Sequence, residues 1–385
     1  MSSAVASGSD GFPDDAELKK RAVELLAQLA AGPRFTGSEN ESNARRLCST
    51  LLEREGLSVS EREFEFSEFP GRYGAPLIGF LWLVAALFTR HVFLRHGGSG
   101  PAMAVLWIGL AISVAVGTWL ARHGTARFPR MKSRSANLVA SRGDPRVWLV
   151  AHLDTKSQTL PMIARIVALV TAAVAVGVLA LLVALEWLAT AAGREPAAPA
   201  IIPIVAMIAA IATVPIILCL VSDRSPGALD NASGVIAVIL AAGLLRTRPD
   251  LGVILTSGEE LGLAGARAYA QSAGKWAIAL NCDTIDDAGG FLCMVRRSTG
   301  GSAATALTRA AARGRVPLRV RGMIPGLLAD SIAFADSGWD AVTLSRGNIG
   351  TLAHVHTSSD TCERLNGTGI AMAALLLAAT VEELT

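Results

Sequence analysis

The stretch RVWLVAHLD, residues 146–154, indicates a buried strand, because a short apolar run in it ends in a histidine and an aspartate. Two later stretches have the same form: LGVILTSGEE at 251–260 and WAIALNCDTID at 276–286. Ala-rich helical stretches such as SGVIAVILAAGLLRT at 233–247 lie between them. Buried strands that alternate with helices are typical of a mostly parallel sheet covered on both faces. The sequence therefore predicts an α/β fold with a mostly parallel mixed sheet and helices on both faces.

Polar side chains end each of these predicted strands or follow them closely. In an open α/β sheet the ligand site lies beyond the carboxyl ends of the strands. The histidine and carboxylate candidates are His152, Asp154, Asp230, Glu259, Glu260, Asp283 and His356. Such groups suit zinc, and manganese or cobalt are also compatible with them. The set can hold two metal ions if one carboxylate bridges them, and it leaves a carboxylate to carry the proton of a hydrolysis.

Five motifs in the chain stand in a recognisable order. They are HLD at 152–154, DNASG at 230–234, GEELGLAGA at 258–266, NCD at 281–283 and HTSSDT at 356–361. In this order they resemble the M28 family of zinc aminopeptidases, and the resemblance covers the soluble parts, about two thirds of the chain. It implies a peptide substrate and two zinc ions per chain. The stretch LLADSIAFADSG also resembles a later family segment, less closely, and no role is assigned to its aspartate Asp330.

The resemblance also implies a role for each candidate residue. The implied zinc ligands are His152, Asp230, Glu260, Asp283 and His356, with Asp230 as the bridge between the two ions. Asp154 would orient His152 from behind, and Glu259 would be the general base. Glu259 and Glu260 are adjacent at a strand end and point in different directions, so one can face the metal and the other the substrate.

Simpler interpretations stay open at single positions. Asp230 can serve only as the N-cap of the helix that follows it. Glu259 and Glu260 can be solvated residues in the first turn of a helix. His354 competes with His356 as a ligand, although the following TSSDT favours His356.

Three functions are compatible with the motifs. The favoured one is a membrane-anchored two-zinc aminopeptidase that hydrolyses N-terminal peptide bonds. The second is a single-zinc enzyme of the same fold, such as a glutaminyl cyclase. The third is a non-catalytic M28-like domain used for binding or membrane-protein assembly. The complete ligand set favours the first, because inactive domains usually lose ligands.

Four apolar segments indicate a membrane protein. The chain is 51% hydrophobic and only 17% charged, which is too apolar for a typical soluble enzyme. The segments are residues 74–88, 101–121, 166–185 and 196–222. A helix of about 20 apolar residues spans a bilayer, a length that the last three reach and the first reaches marginally. Buried core helices are the alternative. The sequence therefore predicts about four transmembrane helices in two hairpins.

The hairpins interrupt the soluble part of the chain. The predicted boundaries are 1–72, 122–160 and 223–385 for the catalytic pieces, and 73–121 and 161–222 for the hairpins. The second hairpin lies between His152 and Asp230, inside an active-site loop. We therefore expect the site to lie near the bilayer surface, with lipid as a partner and apolar peptides as substrates.

Charge distribution predicts the sidedness. The N-terminus has no basic region followed by an apolar one, so we expect no secretory signal there. Basic residues flank the hairpins mainly on the side of the catalytic pieces, which the positive-inside rule places in the cytoplasm of a multi-pass protein. Five scattered cysteines agree with a reducing compartment. A net charge of +3, 5% aromatic residues and no basic run argue against nucleic-acid binding.

Overall fold

The computed structural model describes residues 12, 15–95, 99–194, 200–273, 276–296, 301–324 and 326–384. The chain forms two compact units. The first consists of Met1–Phe66, Lys132–Ser157 and Asp223–Thr385, and the second of Ser67–Met131 and Gln158–Ser222.

An eight-stranded sheet forms the centre of the first unit. Its strands are β1 Ser58–Ser67, β2 Lys132–Ser141, β3 Val147–His152, β4 Leu251–Thr256, β5 Ile278–Ile285, β6 Gly290–Val295, β7 Leu318–Gly322 and β8 Asp340–Gly347. Across the sheet they follow the order β1-β2-β4-β3-β5-β8-β6-β7. The four central strands, β4, β3, β5 and β8, are parallel to one another. Strand β2 is antiparallel to β4, and β6 is antiparallel to β8, so the predicted mostly parallel mixed sheet is confirmed.

Helices pack against this sheet. They are Ala16–Leu29, Glu39–Arg54, Ser233–Leu244, Ala264–Ser272, Ser302–Arg313, Asp330–Asp336, Ile349–Leu352 and Thr368–Glu383, with short helical turns at Ala228–Ala232 and Cys362–Arg364. The helix Ser233–Leu244 is apolar on all sides, and ten of its residues are buried. A helix of this composition needs cover on every side, which the sheet and the C-terminal helix provide.

The second unit is built from four apolar helices: Phe69–Arg95, Ser99–His123, Met162–Ala191 and Ile202–Ile217. Where they contact one another the buried residues are mainly alanines, for example Ala85, Ala86, Ala206 and Ala209. Small side chains let helix backbones approach closely, as in membrane bundles. Two two-residue strands, Ser157–Gln158 and Val221–Ser222, complete the described elements.

Three of these helices are long and apolar enough to cross a membrane. They are Phe69–Arg95, Ser99–Ala121 and Met162–Ala191, and the mean hydropathy of their apolar stretches is 1.9, 2.0 and 2.9. Large apolar side chains on them point outward, and Val170 and Leu181 are 57% and 58% exposed. Helices buried in a water-soluble core would not leave such side chains uncovered. The interpretation as ordinary core helices is therefore not supported for these three.

The first and fourth apolar helices have bounds other than those of the predicted segments. The first, marginal over residues 74–88 unless it continues through RHVFL, does continue: the helix begins at Phe69 and ends at Arg95, which gives 27 residues. Residues 196–199 of the fourth segment lie outside the described residues, and the rest contains a helix of 16 residues, Ile202–Ile217, with a proline at its start and Pro215 near its end. At 1.5 Å per residue it measures about 24 Å, shorter than a hydrocarbon core of about 30 Å. Among the described residues there are thus three candidate spans, where the sequence predicts about four.

Candidate metal centre

The seven predicted site residues lie together at the carboxyl ends of the parallel strands. His152 is the last residue of β3, and Asp283 lies near the end of β5. Glu259 and Glu260 follow β4 in the turn before the helix Ala264–Ser272. Asp230 and His356 come from loops, the first before the helix Ser233–Leu244 and the second after the helix Ile349–Leu352.

One group of three ligating side chains, here called the first half-site, consists of His152, Asp230 and Asp283. Nε2 of His152 lies 3.0 Å from Oδ1 of Asp230 and 3.7 Å from Oδ1 of Asp283. His152 and Asp230 are buried, and the Asp283 side chain is 14% exposed. One nitrogen and two carboxylate oxygens at this spacing suit a zinc ion.

A second group, the second half-site, consists of Asp230, Glu260 and His356. Nε2 of His356 lies 3.1 Å from Oδ2 of Asp230 and 3.1 Å from Oε2 of Glu260. All three side chains are buried. Asp230 therefore belongs to both half-sites, and its two carboxylate oxygens face different histidines.

Hydrogen bonding shows that the residues fit a cation. Nδ1 of His152 lies 3.0 Å from the carbonyl oxygen of Asp154, and because a carbonyl only accepts, Nδ1 carries a proton. In the neutral ring Nε2 is then an unprotonated acceptor, yet it faces the carboxylates of Asp230 and Asp283. Only a positive centre, a second proton or a metal ion, makes this contact favourable. Oε1 of Glu260 is buried with no hydrogen-bond partner among the described residues, so it is free to act as a ligand.

The electrostatics of the side chains alone agree with this fit. Burial opposes the charging of His152, but Glu259 and Asp230 outweigh it and hold the pKa of His152 well above its ordinary value. Burial and neighbouring carboxylates hold the pKa of Glu259 well above its usual range. Burial would raise the pKa of Asp230, but His152 and His356 lower it far below its usual value. Clustered buried carboxylates of this kind are the surroundings that a divalent cation neutralises.

Asp154 contacts three loops of the site. Its backbone carbonyl accepts from His152, while its carboxylate lies 3.8 Å from the same ring nitrogen. The carboxylate accepts from the backbone amides of Glu259 and Glu260 at 3.2 and 3.3 Å and from the hydroxyl of Thr36 at 2.8 Å. Asp154 is fully buried, and burial raises the pKa of its carboxyl group to about 7. It fixes the ring through its main chain and the Glu259–Glu260 turn through its side chain.

The DNASG motif holds the Asp230 turn against β5. The Asn231 side chain donates to the carbonyl of Cys282 at 3.0 Å and accepts from the amides of Gly234 and Thr284 at 3.1 Å. The peptide bond between Asp230 and Asn231 is cis. Through its three hydrogen bonds, Asn231 keeps Asp230 next to the strand that carries Asp283.

The alternative roles for Asp230 and its neighbours do not match the geometry. The helix after Asp230 begins at Ser233, its N-cap is Ala232, and no side chain caps it. Glu259 and Glu260 are only 6% and 7% exposed, so they are not solvated residues.

The loop that carries His356 also supports Asp230. The Asp360 carboxylate accepts from the amide of Leu229 at 2.6 Å and from that of Asp230 at 3.2 Å. Burial raises the pKa of Asp360 to about 7. His356 has a φ of 64°, which is uncommon for a residue other than glycine. His354 instead bonds Ser359 and does not belong to either half-site.

Arg34 is a buried residue of the site that the sequence did not reveal. Its guanidinium donates to the carbonyls of Leu153 at 2.9 Å, Pro226 at 2.6 Å and Gly227 at 3.1 Å. The backbone amide of Arg34 donates to the Thr155 hydroxyl, and its carbonyl accepts from the Thr155 amide. Burial lowers its pKa to about 10, so it stays charged at neutral pH. Arg34 thus joins the loop after His152 to the loop before Asp230.

Three further polar residues near the site received no role from the sequence. Glu41 accepts from the amide of Gly37 and from the hydroxyls of Ser135 and Ser257, and so fixes the start of the turn that carries Glu259. Asp330 is fully buried and accepts from Thr256, the last residue of β4. Lys156 lies against Glu260, with Nζ 2.7 Å from Oε2. The SENE stretch at 38–41 is a helix-start pattern that could have suggested Glu41. Asp330 lies in the segment whose family resemblance is weaker, and no spacing rule indicates Lys156.

Comparisons with known proteins agree with the fold. A sequence model of peptidase family M28 matches residues 135–381. Among solved structures, a zinc aminopeptidase from Bacillus subtilis is similar, with a TM-score of 0.57 and 15% identity over 95% of this chain and 94% of that one. An aminopeptidase from Aneurinibacillus sp. strain AM-1 gives a TM-score of 0.55 and 13% identity over 94% and 93% of the two chains. A glutaminyl cyclase from Porphyromonas gingivalis gives 0.54 and 14% over 95% and 98%. The curated proteins contain no match.

Proposed function

The chain belongs to peptidase family M28, and from that premise we propose that it is a membrane-anchored, zinc-dependent aminopeptidase that binds two metal ions. The observation that carries the proposal is the position of Asp230. Its Oδ1 faces His152 and its Oδ2 faces His356. Asp283 adds a second carboxylate on the first side, and Glu260 adds one on the other. A carboxylate shared in this way is the arrangement that a two-metal site requires.

The residues that would hold the ions are those of the two half-sites. Bound zinc would supply Lewis acidity, which lowers the pKa of a water molecule and polarises the scissile carbonyl. Asp154 and Arg34 hold the loops that carry the ligands in position through hydrogen bonds to their backbone. The backbone contacts of Asn231 and Asp360 fix the orientation of Asp230.

Glu259 moves the proton in the proposed reaction. Its backbone amide is held by Asp154, it is buried, and it belongs to neither half-site among the described residues. Its carboxylate takes the proton of the attacking water and returns it to the leaving amine. A carboxylate positioned next to the reacting groups is one of the usual carriers of such a proton.

The second unit is proposed as the membrane anchor. Its three long apolar helices support membrane association. Multi-pass topology, a cytoplasmic catalytic unit and the hairpin boundaries 73–121 and 161–222 are parts of the same proposal, together with contact with lipid. Apolar peptides are the proposed substrates, because a membrane-bound enzyme meets them at higher local concentration.

A single-zinc glutaminyl cyclase is the second candidate. It is favoured by the similarity in fold between this chain and the Porphyromonas gingivalis glutaminyl cyclase. The two activities give different products. An aminopeptidase releases an amino acid from an aminoacyl substrate, whereas a cyclase converts an N-terminal glutamine to pyroglutamate and releases ammonia. Incubating the purified protein with an aminoacyl fluorogenic substrate and with a glutaminyl peptide tests the proposal. Release of the amino acid supports it, and ammonia from the glutaminyl peptide alone refutes it.

A further inference from the structure

The two half-sites have different charged neighbours. Asp330, a buried carboxyl group, accepts from Thr256, which lies opposite His152 of the first half-site in the sheet. The second half-site instead has a cation beside it, because Nζ of Lys156 lies 2.7 Å from Oε2 of Glu260. A cation therefore contacts a ligand of the second half-site, whereas the first half-site has a further carboxyl group nearby.

Lys156 is held in this position. Its Nζ donates to the backbone carbonyl of Glu260 at 3.1 Å as well as to the side chain, and only 11% of the Lys156 side chain is exposed. The ammonium charge is consequently poorly screened by water. At 2.7 Å from Oε2, the ammonium is in direct contact with a carboxylate oxygen of this ligand.

We propose that Lys156 makes the two half-sites unequal, so that the chain binds one zinc ion tightly and a second one loosely. The inference rests on the proposed two-metal function. An ion in the second half-site shares the Glu260 carboxylate with the Lys156 ammonium, and two cations on one carboxylate repel each other. The second ion then exchanges with the surroundings, and occupancy of the complete site follows the free zinc concentration.

The charge of Lys156 can be separated from its hydrogen bonds. Lys156→Gln keeps a donor and removes the charge, Lys156→Met removes both, and Lys156→Arg keeps the charge. If the charge weakens the second half-site, Lys156→Gln and Lys156→Met both bind the second zinc ion more tightly, and Lys156→Arg resembles the wild type. If Lys156 instead serves to orient Glu260, Lys156→Met binds the second ion more weakly.

Zinc titration of the full chain in detergent, after removal of metal with a chelator, tests the inference without measuring activity. For the wild type we expect two dissociation constants at least about tenfold apart, since like charges this close in a poorly solvated site interact strongly. Lys156→Gln and Lys156→Met should tighten the weaker constant by at least about tenfold. Asp283→Asn disables the first half-site. In that background, adding Lys156→Gln should tighten zinc binding at the remaining weak site by a similar factor.

Two results would overturn the inference while leaving the proposed function intact. One is a wild type that binds two zinc ions with equal affinity, and the other is a second constant that is unchanged or weakened in Lys156→Gln and Lys156→Met. A wild type that binds no zinc would overturn the proposed function and the inference with it.

Discussion

Oδ1 of Asp230 lies 3.0 Å from Nε2 of His152, although the two residues belong to loops separated by the whole second apolar hairpin. Arg34 joins the two loops through the carbonyls of Leu153 and Pro226, and Asn231 and Asp360 hold the Asp230 turn. The first unit thus assembles the site from distant pieces of chain, and the proposed metal-binding and proton-transfer roles can be tested separately.

Replacement of the shared carboxylate should remove metal and activity together. Asp230→Asn keeps the size of the side chain but removes the charge that faces both histidines, so we expect loss of zinc from both half-sites. Zinc content and hydrolysis should be measured on the same sample. A variant that keeps its full zinc content would show that Asp230 does not bridge the ions.

Replacement of the proton carrier should separate activity from metal content. Glu259→Gln is expected to lower turnover by about 10²–10⁴-fold, the usual effect of losing a general base, and to leave zinc content near normal. A hydrolysis assay measures the turnover, and metal analysis of the same sample measures the zinc content. Turnover above about a tenth of the wild type would contradict the assignment.

Chelation of metal should destabilise the first unit. A ligand that binds only the folded state stabilises it by about 2.7 kcal/mol when its concentration is a hundred times its Kd. We expect a lower melting temperature in excess chelator and full recovery when zinc is restored. Asp230→Asn is the matched control, because a chain without a metal site should melt at the same temperature with and without chelator.

Arg34→Lys should weaken both folding and zinc binding, because one ammonium cannot reach the carbonyls of Leu153, Pro226 and Gly227 together. Leaving buried carbonyls without a donor costs about 1–3 kcal/mol each, so we expect a loss of about 3 kcal/mol in the free energy of unfolding. Zinc affinity should fall by about tenfold or more, as is typical when groups that support metal ligands are removed.

The control for Arg34 is Leu377→Ala, a buried position in the C-terminal helix. It should cost about 2–5 kcal/mol and leave zinc affinity unchanged at a temperature where both variants are folded. Equal zinc affinities in the two variants would reduce Arg34 to a purely structural residue.

The fold was predictable from the sequence because buried parallel strands leave a distinct pattern, an apolar run that ends in polar residues. The ligand candidates could be chosen for the same reason, since such ends meet at one edge of the sheet. Arg34 could not be predicted, because arginine is usually exposed and its partners here are backbone carbonyls, which leave no trace in the sequence. The bounds of the fourth apolar helix do not follow from hydropathy alone, because apolar residues continue beyond the helix while a proline stands near each of its ends.

Product analysis of the purified full chain in detergent, with zinc supplied, shows directly whether the protein is an aminopeptidase. The substrates are an apolar aminoacyl peptide, the same peptide with a blocked N-terminus and a peptide that begins with glutamine. We expect release of the N-terminal amino acid from the free peptide, no reaction with the blocked one, and loss of release in Glu259→Gln. Pyroglutamate formation without any release of amino acid, or wild-type release by Glu259→Gln, would contradict the proposed function.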